Sequence, residues 1–266
     1  MRNLAIRIRY DGSRYHGWQI QALRDREHPP TVQAFIEEAV SHVAGMPIHV
    51  QGAGRTDTGV HADAQVAHCD IPEAKAGVRW VLALNTLLPR DIRVLDARIV
   101  DDSFHACHSA VRKAYTYSLW LDHLCVPPKL YPFVWGCGPL DLDRFDAAIP
   151  FLTGTHDFAS LQNAGKPHKS TVRTIFSITR DPARTPEAPL PAGCRLFHVR
   201  FEGSGFLKQM VRNLIGLMVA CGRGKFAPED IPALLESCDR RRAPFTAPPQ
   251  GLTMTRIWYT GDELPE

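Results

Sequence analysis

The stretch GRTDTGVHA (residues 54–62) holds one carboxylate, Asp57, among glycines and small polar residues, with Arg55 two places before it. Glycine admits strained dihedrals and lets a bulky ligand approach the backbone. An ionised carboxylate in such a loop can serve as a nucleophile or a base without a cofactor. Arg55, if paired with it, would favour the ionised form. The same spacing also suits an aspartate that closes an Asx-turn.

Several rival chemistries fail on spacing. A dinucleotide fingerprint needs G-x-G-x-x-G opening a helix. Here the glycines are Gly52, Gly54 and Gly59, the third two places late, and a strand follows. Gly54 and Gly59 fit the frame of a phosphate loop, but Val60 stands where that loop needs lysine. The string DTG is that of an aspartic protease, which needs two carboxylates sharing a proton. With no second DTG or DSG in the chain, a dimer axis would have to supply the partner. His61, His68, His105 and His108 lie near the motif or near the boundary between the halves. His105 and His108 could share a metal only on a helix, and SFHACHSA reads as extended or irregular with no carboxylate at ligand spacing.

The elements that must position Asp57 follow from periodicity. LAIRIRY puts Leu4, Ile6, Ile8 and Tyr10 on one face of a strand. TVQAFIEEAVSHVAG spaces Val32, Phe35, Ile36, Ala39, Val40 and Val43 for a helix, with Thr31 as N-cap and Gly45 as stop. Strands follow at IHVQG and QVAHCDI, then a helix at VRWVLALNTLL and a strand at IRVLDARIV. This is the β-α-β-β-α-β order of the ferredoxin-like, or RRM-like, unit.

The second half repeats the order. YTYSLWL is a strand, DLDRFDAAIPFLTG a helix, and TVRTIFSITR and RLFHVRFEG are strands. GFLKQMVRNLIGLMVACGRG is a long helix with Met210, Leu214, Leu217, Met218 and Cys221 on its apolar side. An added helix at PEDIPALLESC precedes the last strand, GLTMTRIWY. The expected class is α+β, with halves at 1–105 and 106–266 whose mainly antiparallel sheets flank a central cleft, a common place for a site. The proline-rich DPARTPEAPLPAG and HLCVPPKLYP read as surface loops.

Composition bounds the partners. The net charge is only +3, yet 24 of the 31 basic residues are arginine, whose planar fork binds phosphate bidentately and stacks on bases. Seven cysteines without a C-x-x-C pair argue against a zinc ribbon and against a secreted disulfide framework. The N-terminal segment lacks the apolar stretch of a signal peptide, and LIGLMVAC is too short to cross a bilayer. A reduced cytoplasmic compartment and no membrane are expected.

GRTDTGVHA closely resembles the active-site motif of the tRNA pseudouridine synthase A family, usually G-R-T-D-A-G-V-H-A. YDGSRYHGWQIQ, TVQAFIEEAV, ALNTLLP, KAYTYSLW, GTHDFASL, GFLKQMVRNLIG and APPQGLTMTRIWY are similar to segments of that family in the same order, so the resemblance spans essentially the whole chain. It implies the pseudouridine synthase fold, two α/β halves around a cleft, and isomerisation of uridine in the anticodon stem-loop of tRNA, usually at positions 38 to 40. It further implies a homodimer with neither cofactor nor metal. Asp57 falls on the catalytic aspartate, and Tyr115 on a tyrosine placed to stack on the uracil. Arg212 falls on the aspartate's basic partner, Arg55 on the arginine that helps displace the target nucleotide, and Leu252 on an apolar wall of the uracil pocket.

From the residues alone, Tyr115 would be a strand-face core aromatic and Arg212 a buried ion pair or a snorkelling side chain. Thr58 replaces the family's alanine, and Cys107 stands where an arginine is frequent. Grip on tRNA is expected from Arg7, Arg9, Arg14, Arg24, Arg26, Lys166, Lys169, Arg240, Arg241 and Arg242. The different-class alternatives are a tRNA-binding or RNA-chaperone protein with an inactive site, and, remotely, the dimeric aspartic protease.

Overall fold

Alternation makes the first strand and pairing on both edges buries it. In the computed structural model, which describes residues 1–21, 29–122, 126–163, 170–182 and 196–260, Leu4, Ile6, Ile8 and Tyr10 are buried, as their spacing predicts, while Arg9 is exposed. The chain divides into two compact units, Met1–Lys113 with Thr253–Glu266, and Ala114–Leu252.

The first unit runs β1 (Arg2–Tyr10), α1 (Val32–Ala44), β2 (Gln51–Gly52), β3 (His61–Ile71), α2 (Trp80–Leu87) and β4 (Ile92–Val100). Antiparallel β3 and β4 flank β1, with Ile6 opposite Ala67 on one side and Ala97 on the other. Helix α1 starts where the Thr31 hydroxyl accepts from the Ala34 N–H (3.4 Å) and stops at Gly45, which takes the left-handed φ of 79°. Its buried face includes Val32, Ile36, Ala39 and Val40, and Phe35 meets the Tyr15 ring edge-on at 5.7 Å.

The strand expected over IHVQG pairs only at Gln51 and Gly52. Side chains of α1 take its earlier donors: Ile48 N–H bonds Ser41 Oγ and Val50 N–H bonds Glu37 Oε1, each at 2.9 Å. A backbone group satisfied in this way has no need of a ladder partner.

The second unit contains the body of β5 (Ala110–Trp120), then β6 (Trp135–Gly136), α3 (Leu142–Asp146), α4 (Ile149–Leu152), β7 (Gly154–Asp157), β8 (Val172–Pro182), β9 (Leu196–Gly203), α5 (Met210–Gly222) and α6 (Ile231–Glu236). Its strands lie in the order β5-β9-β8-β7, with β7 and β9 antiparallel to β8 and β6 parallel to β5. The single helix expected over DLDRFDAAIPFLTG is two short ones. Pro150 has no N–H to offer Asp146, so the ladder breaks and Pro150 sits in the first turn of α4.

Helix α5 begins at Met210, five residues later than the sequence suggests, because Gln209 turns in at a φ of +59°. It is buried on nearly every side rather than along one stripe: Val211, Ile215, Val219 and Ala220 are covered as well as the predicted residues. Gly216 is required there, since a Cβ would lie 1.9 Å from the Phe245 carbonyl oxygen.

The last strand, β10 (Leu252–Tyr259), was expected to close the second half. It pairs in parallel with β3, Thr253 opposite His61 and Met254 opposite Ala62. Ile257 and Tyr259 pack on the cluster of Ala5, Ala53, Val66, Phe104 and Ala106, and Tyr259 donates to the Ala106 carbonyl at 2.7 Å.

Candidate active site

The Asp57 loop is held at its neighbours, leaving the aspartate half-buried between fixed points. The Thr56 hydroxyl, buried, bonds Tyr10 Oη at 2.7 Å, and burial pushes the Tyr10 hydroxyl well above its ordinary pKa, so it stays neutral. The Thr56 carbonyl accepts from the Trp18 N–H (3.1 Å). Val60 N–H bonds back to the Asp57 carbonyl (3.1 Å), and Gly59, at a φ of +76°, donates to Tyr15 (3.4 Å). Gln65 Nε2 bonds the Gly54 carbonyl (2.7 Å), and Lys113 Nζ the Ala53 carbonyl (2.7 Å).

These contacts explain the motif YDGSRYHGWQ, whose role the sequence did not disclose. Residues 11–18 lie against the Asp57 loop so tightly that a Cβ on Gly12 would meet Val60 O at 2.0 Å, and one on Gly17 would meet Thr56 O at 2.4 Å. Two glycines five residues apart in a strand-to-helix connection were the available signal. His61, buried, accepts the Gly12 N–H on Nδ1 (3.1 Å).

Arg55 does not turn to Asp57. Its Nε donates to Gln19 Oε1 at 3.0 Å and its side chain is exposed, so the pairing considered from sequence is replaced by one that holds the guanidinium near the surface.

Tyr115, Arg212 and Leu252 belong to the second unit. Tyr115 is 8% exposed and meets the edge of Phe206 at 5.1 Å, a core-like setting that still leaves part of the side chain accessible. Arg212, on α5, is half-buried. Its Nε donates to the Ala247 carbonyl (2.8 Å), while the Ala247 N–H donates to the Arg212 carbonyl (3.1 Å). Leu252 is buried at the start of β10, just after Gly251, where a Cβ would strike the Tyr117 ring at 2.5 Å. Burial raises the Tyr117 hydroxyl, against the lowering influence of nearby Arg212, and keeps it a donor to the Pro248 carbonyl (2.7 Å).

The basic residues proposed from sequence separate into groups. Arg9 pairs with Asp63 (3.2 Å), Arg14 with Asp91 (3.6 Å) and Arg241 with Asp239 (2.8 Å). These surface pairs contribute little to stability and leave the cations at the surface. Arg7 is half-buried and Arg242 exposed. Arg240 is engaged wholly inside the second unit, described below. Arg24, Arg26, Lys166 and Lys169 lie outside the described residues, as does most of DPARTPEAPLPAG. Cys107 is exposed and lacks the guanidinium fork with which an arginine would grip a phosphate.

Among the described residues no group of three or more His, Cys, Asp or Glu is arranged to hold a metal ion. Three of these histidines instead form a tilted stack, His68 to His105 at 4.6 Å and His105 to His108 at 4.2 Å between centroids. His68 Nδ1 accepts the Ala106 N–H, and His105 Nδ1 accepts those of Cys107 and His108. Burial first, and the neighbouring histidine second, push both His68 and His105 below the usual imidazole value.

The unfolded chain therefore takes up these protons before the folded one does. Stability is unaffected above about pH 6.5, the unfolded value, and falls as pH drops below it. We expect the urea midpoint to decline from pH 7 to 5, and the decline to be shallower in His105→Gln, which removes one proton site and the repulsion on His68. An equal decline in the variant would rule out this stack as its source.

A family model described as tRNA pseudouridine synthase matches residues 6–108 and 148–260. The chain belongs to that family, whose members are isomerases acting on tRNA. Relatives named tRNA pseudouridine synthase A include one from Oleidesulfovibrio alaskensis, 51% identical and covering 100% of this chain and 99% of its own. Another, from Lawsonia intracellularis, is 49% identical over 98% of this chain and 100% of its own. A third, from Coxiella burnetii, is 40% identical over 97% and 94%. These matches favour neither the protease nor the inactive binding protein. No helix among the described residues is long and apolar enough to cross a membrane.

Proposed function

We propose that this chain isomerises uridine to pseudouridine in the anticodon stem-loop of tRNA, at positions 38 to 40, with Asp57 as the catalytic carboxylate. The observation that supports it most is Asp57 itself: a half-buried carboxylate within GRTDTGVHA, on a loop fixed through Thr56 and Gly59. The reaction breaks the N1–C1′ bond, turns the uracil and joins C5 to C1′, releasing the C5 proton. A carboxylate can attack the sugar, attack the base, or take a sugar proton and pass through a glycal. Each route starts from the ionised acid and uses neither metal nor cofactor.

In this reading Tyr115 stacks on the uracil, Leu252 walls its pocket and Arg212 partners the carboxylate. Arg55 helps extrude the nucleotide, because a stacked base must leave the helix before its glycosidic bond can be reached. Exposed arginines hold the RNA backbone, so binding weakens with salt as phosphate contacts release counterions. The enzyme works as a homodimer in the cytoplasm.

The direct test incubates unmodified tRNA carrying [5-³H]uridine with the purified protein. Tritium release and pseudouridine at positions 38 to 40 are expected. Bound but unmodified tRNA would replace the reading with that of an RNA-binding protein.

A further inference from the structure

Arg240 stands in a run of three arginines, where a phosphate contact is the natural expectation. A guanidinium has five N–H donors, and here each has an acceptor within the second unit. Nε donates to Asn163 Oδ1 (3.1 Å). Nη1 donates to the carbonyls of Ala243 (3.2 Å) and Pro244 (2.9 Å), and Nη2 to Asn213 Oδ1 (3.1 Å) and Thr246 Oγ1 (2.9 Å). No donor is left to face a phosphate, and burial lowers the pKa of Arg240 from its ordinary value.

The partners are not scattered. Asn213 is 2% exposed and follows Arg212 on α5. Its Nδ2 donates to the Leu161 carbonyl (2.7 Å), and its Oδ1 accepts the Thr246 hydroxyl (2.6 Å). Asn163 Nδ2 donates to Gln209, the residue whose left-handed backbone leads into α5. Residues 243–246 are thus fastened to the first turn of α5 by one arginine, one asparagine and one threonine. The next residue in that segment, Ala247, is the one that exchanges two hydrogen bonds with Arg212.

We propose that Arg240, with Asn213 and Thr246, is a positioning device for Arg212: it fixes the Ala247 carbonyl, and that carbonyl sets the direction of the Arg212 guanidinium. The proposal rests on the role given to Arg212 above. A planar group held at Nε is restricted in rotation as well as place, and such orientation is what a reacting constellation needs. An unsatisfied buried asparagine or arginine would be costly, so the network is in place as a whole or fails as a whole.

The test measures kcat, KM for tRNA and the salt dependence of tRNA binding in Thr246→Val, Arg240→Lys, Arg212→Ala and the two doubles with Arg212→Ala. Thr246→Val changes no charge and little shape, yet removes the hydroxyl. It should lower kcat about tenfold with KM and salt slope unchanged. Arg240→Lys keeps the charge but not the fork, and should do the same or worse. Because the device acts through Arg212, adding either change to Arg212→Ala should alter kcat by less than about twofold.

A raised KM and flatter salt slope in Arg240→Lys, with kcat intact, would make Arg240 a phosphate contact and overturn the proposal. Effects that multiply in the doubles would overturn it too, as general structural damage. If Arg212→Ala modifies tRNA normally, the device has no object and the proposal falls with the role of Arg212, while the modification by wild-type protein stands. Should Arg240→Lys fail to fold, Thr246→Val and its double carry the same decision.

Discussion

Asp57→Asn is expected to abolish pseudouridine formation, by at least about a thousandfold in kcat, and to leave a folded protein that still binds tRNA. The substitution is nearly isosteric. The loop is held by the Thr56 hydroxyl and carbonyl, by Val60 N–H and by Gly59 N–H, and no one of these bonds uses the Asp57 side chain. What changes is chemistry: an amide is neither a base nor an oxygen nucleophile near neutral pH. A half-buried side chain replaced at constant volume should shift stability by about 1 kcal/mol or less. Tritium release from labelled tRNA, a filter-binding isotherm and a thermal melt separate the three quantities. Modification at the wild-type rate would remove Asp57 from the reaction altogether.

Gly17→Ala acts on the same atoms from behind. Gly17 has a φ of +82°, and a Cβ there would lie 2.4 Å from the Thr56 oxygen and 3.0 Å from the Asp57 carbonyl carbon. Both neighbours are backbone, so relief means moving the loop by about 1 Å, and a displacement of that size costs about a hundredfold in rate. The left-handed backbone adds about 1–2 kcal/mol, and the overpacked contact a further 1–3 kcal/mol or so.

Gly45→Ala is the matched control. Its φ of +79° carries the same backbone penalty, but nothing lies within 4 Å of its Cβ. It should lose about 1 kcal/mol of stability and keep kcat. Equal kcat in the two variants would mean that the 11–18 segment does not position Asp57.

Much of this molecule is legible in its sequence because local signals agree with tertiary ones. The N-cap at Thr31 and the stop at Gly45 are written in residue types with one dominant backbone role each, and both appear where the spacing puts them. The strand face of Leu4, Ile6 and Ile8 reads directly from alternation. Other features depend on partners distant in sequence. Periodicity gives β10 its existence but not its neighbour, and parallel pairing with β3 is a matter of topology. Helix α5 looks amphipathic in part, yet contacts on all sides bury it.

The site divides the same way. Asp57 stands out because a carboxylate among glycines in a long recognisable motif has few structural duties. Arg240 is misleading for the opposite reason: one of three adjacent arginines looks solvated until the acceptors of residues 163, 213 and 243–246 are brought to it. The lone Asn213 in the apolar run MVRNLIGL was the available clue, since a buried amide must be answered by partners.

The pairing of β10 with β3 also sets a schedule for the nascent polypeptide. Residues 114–252 leave the ribosome as an uninterrupted unit, but the sheet that carries Asp57 lacks its parallel neighbour until the final stretch emerges. At ordinary elongation rates that interval is on the order of ten seconds, during which Ala53, Val66 and Phe104 wait uncovered by Ile257 and Tyr259. Premature termination just after residue 252 therefore releases a chain in which the unit carrying Asp57 is the part left unfinished.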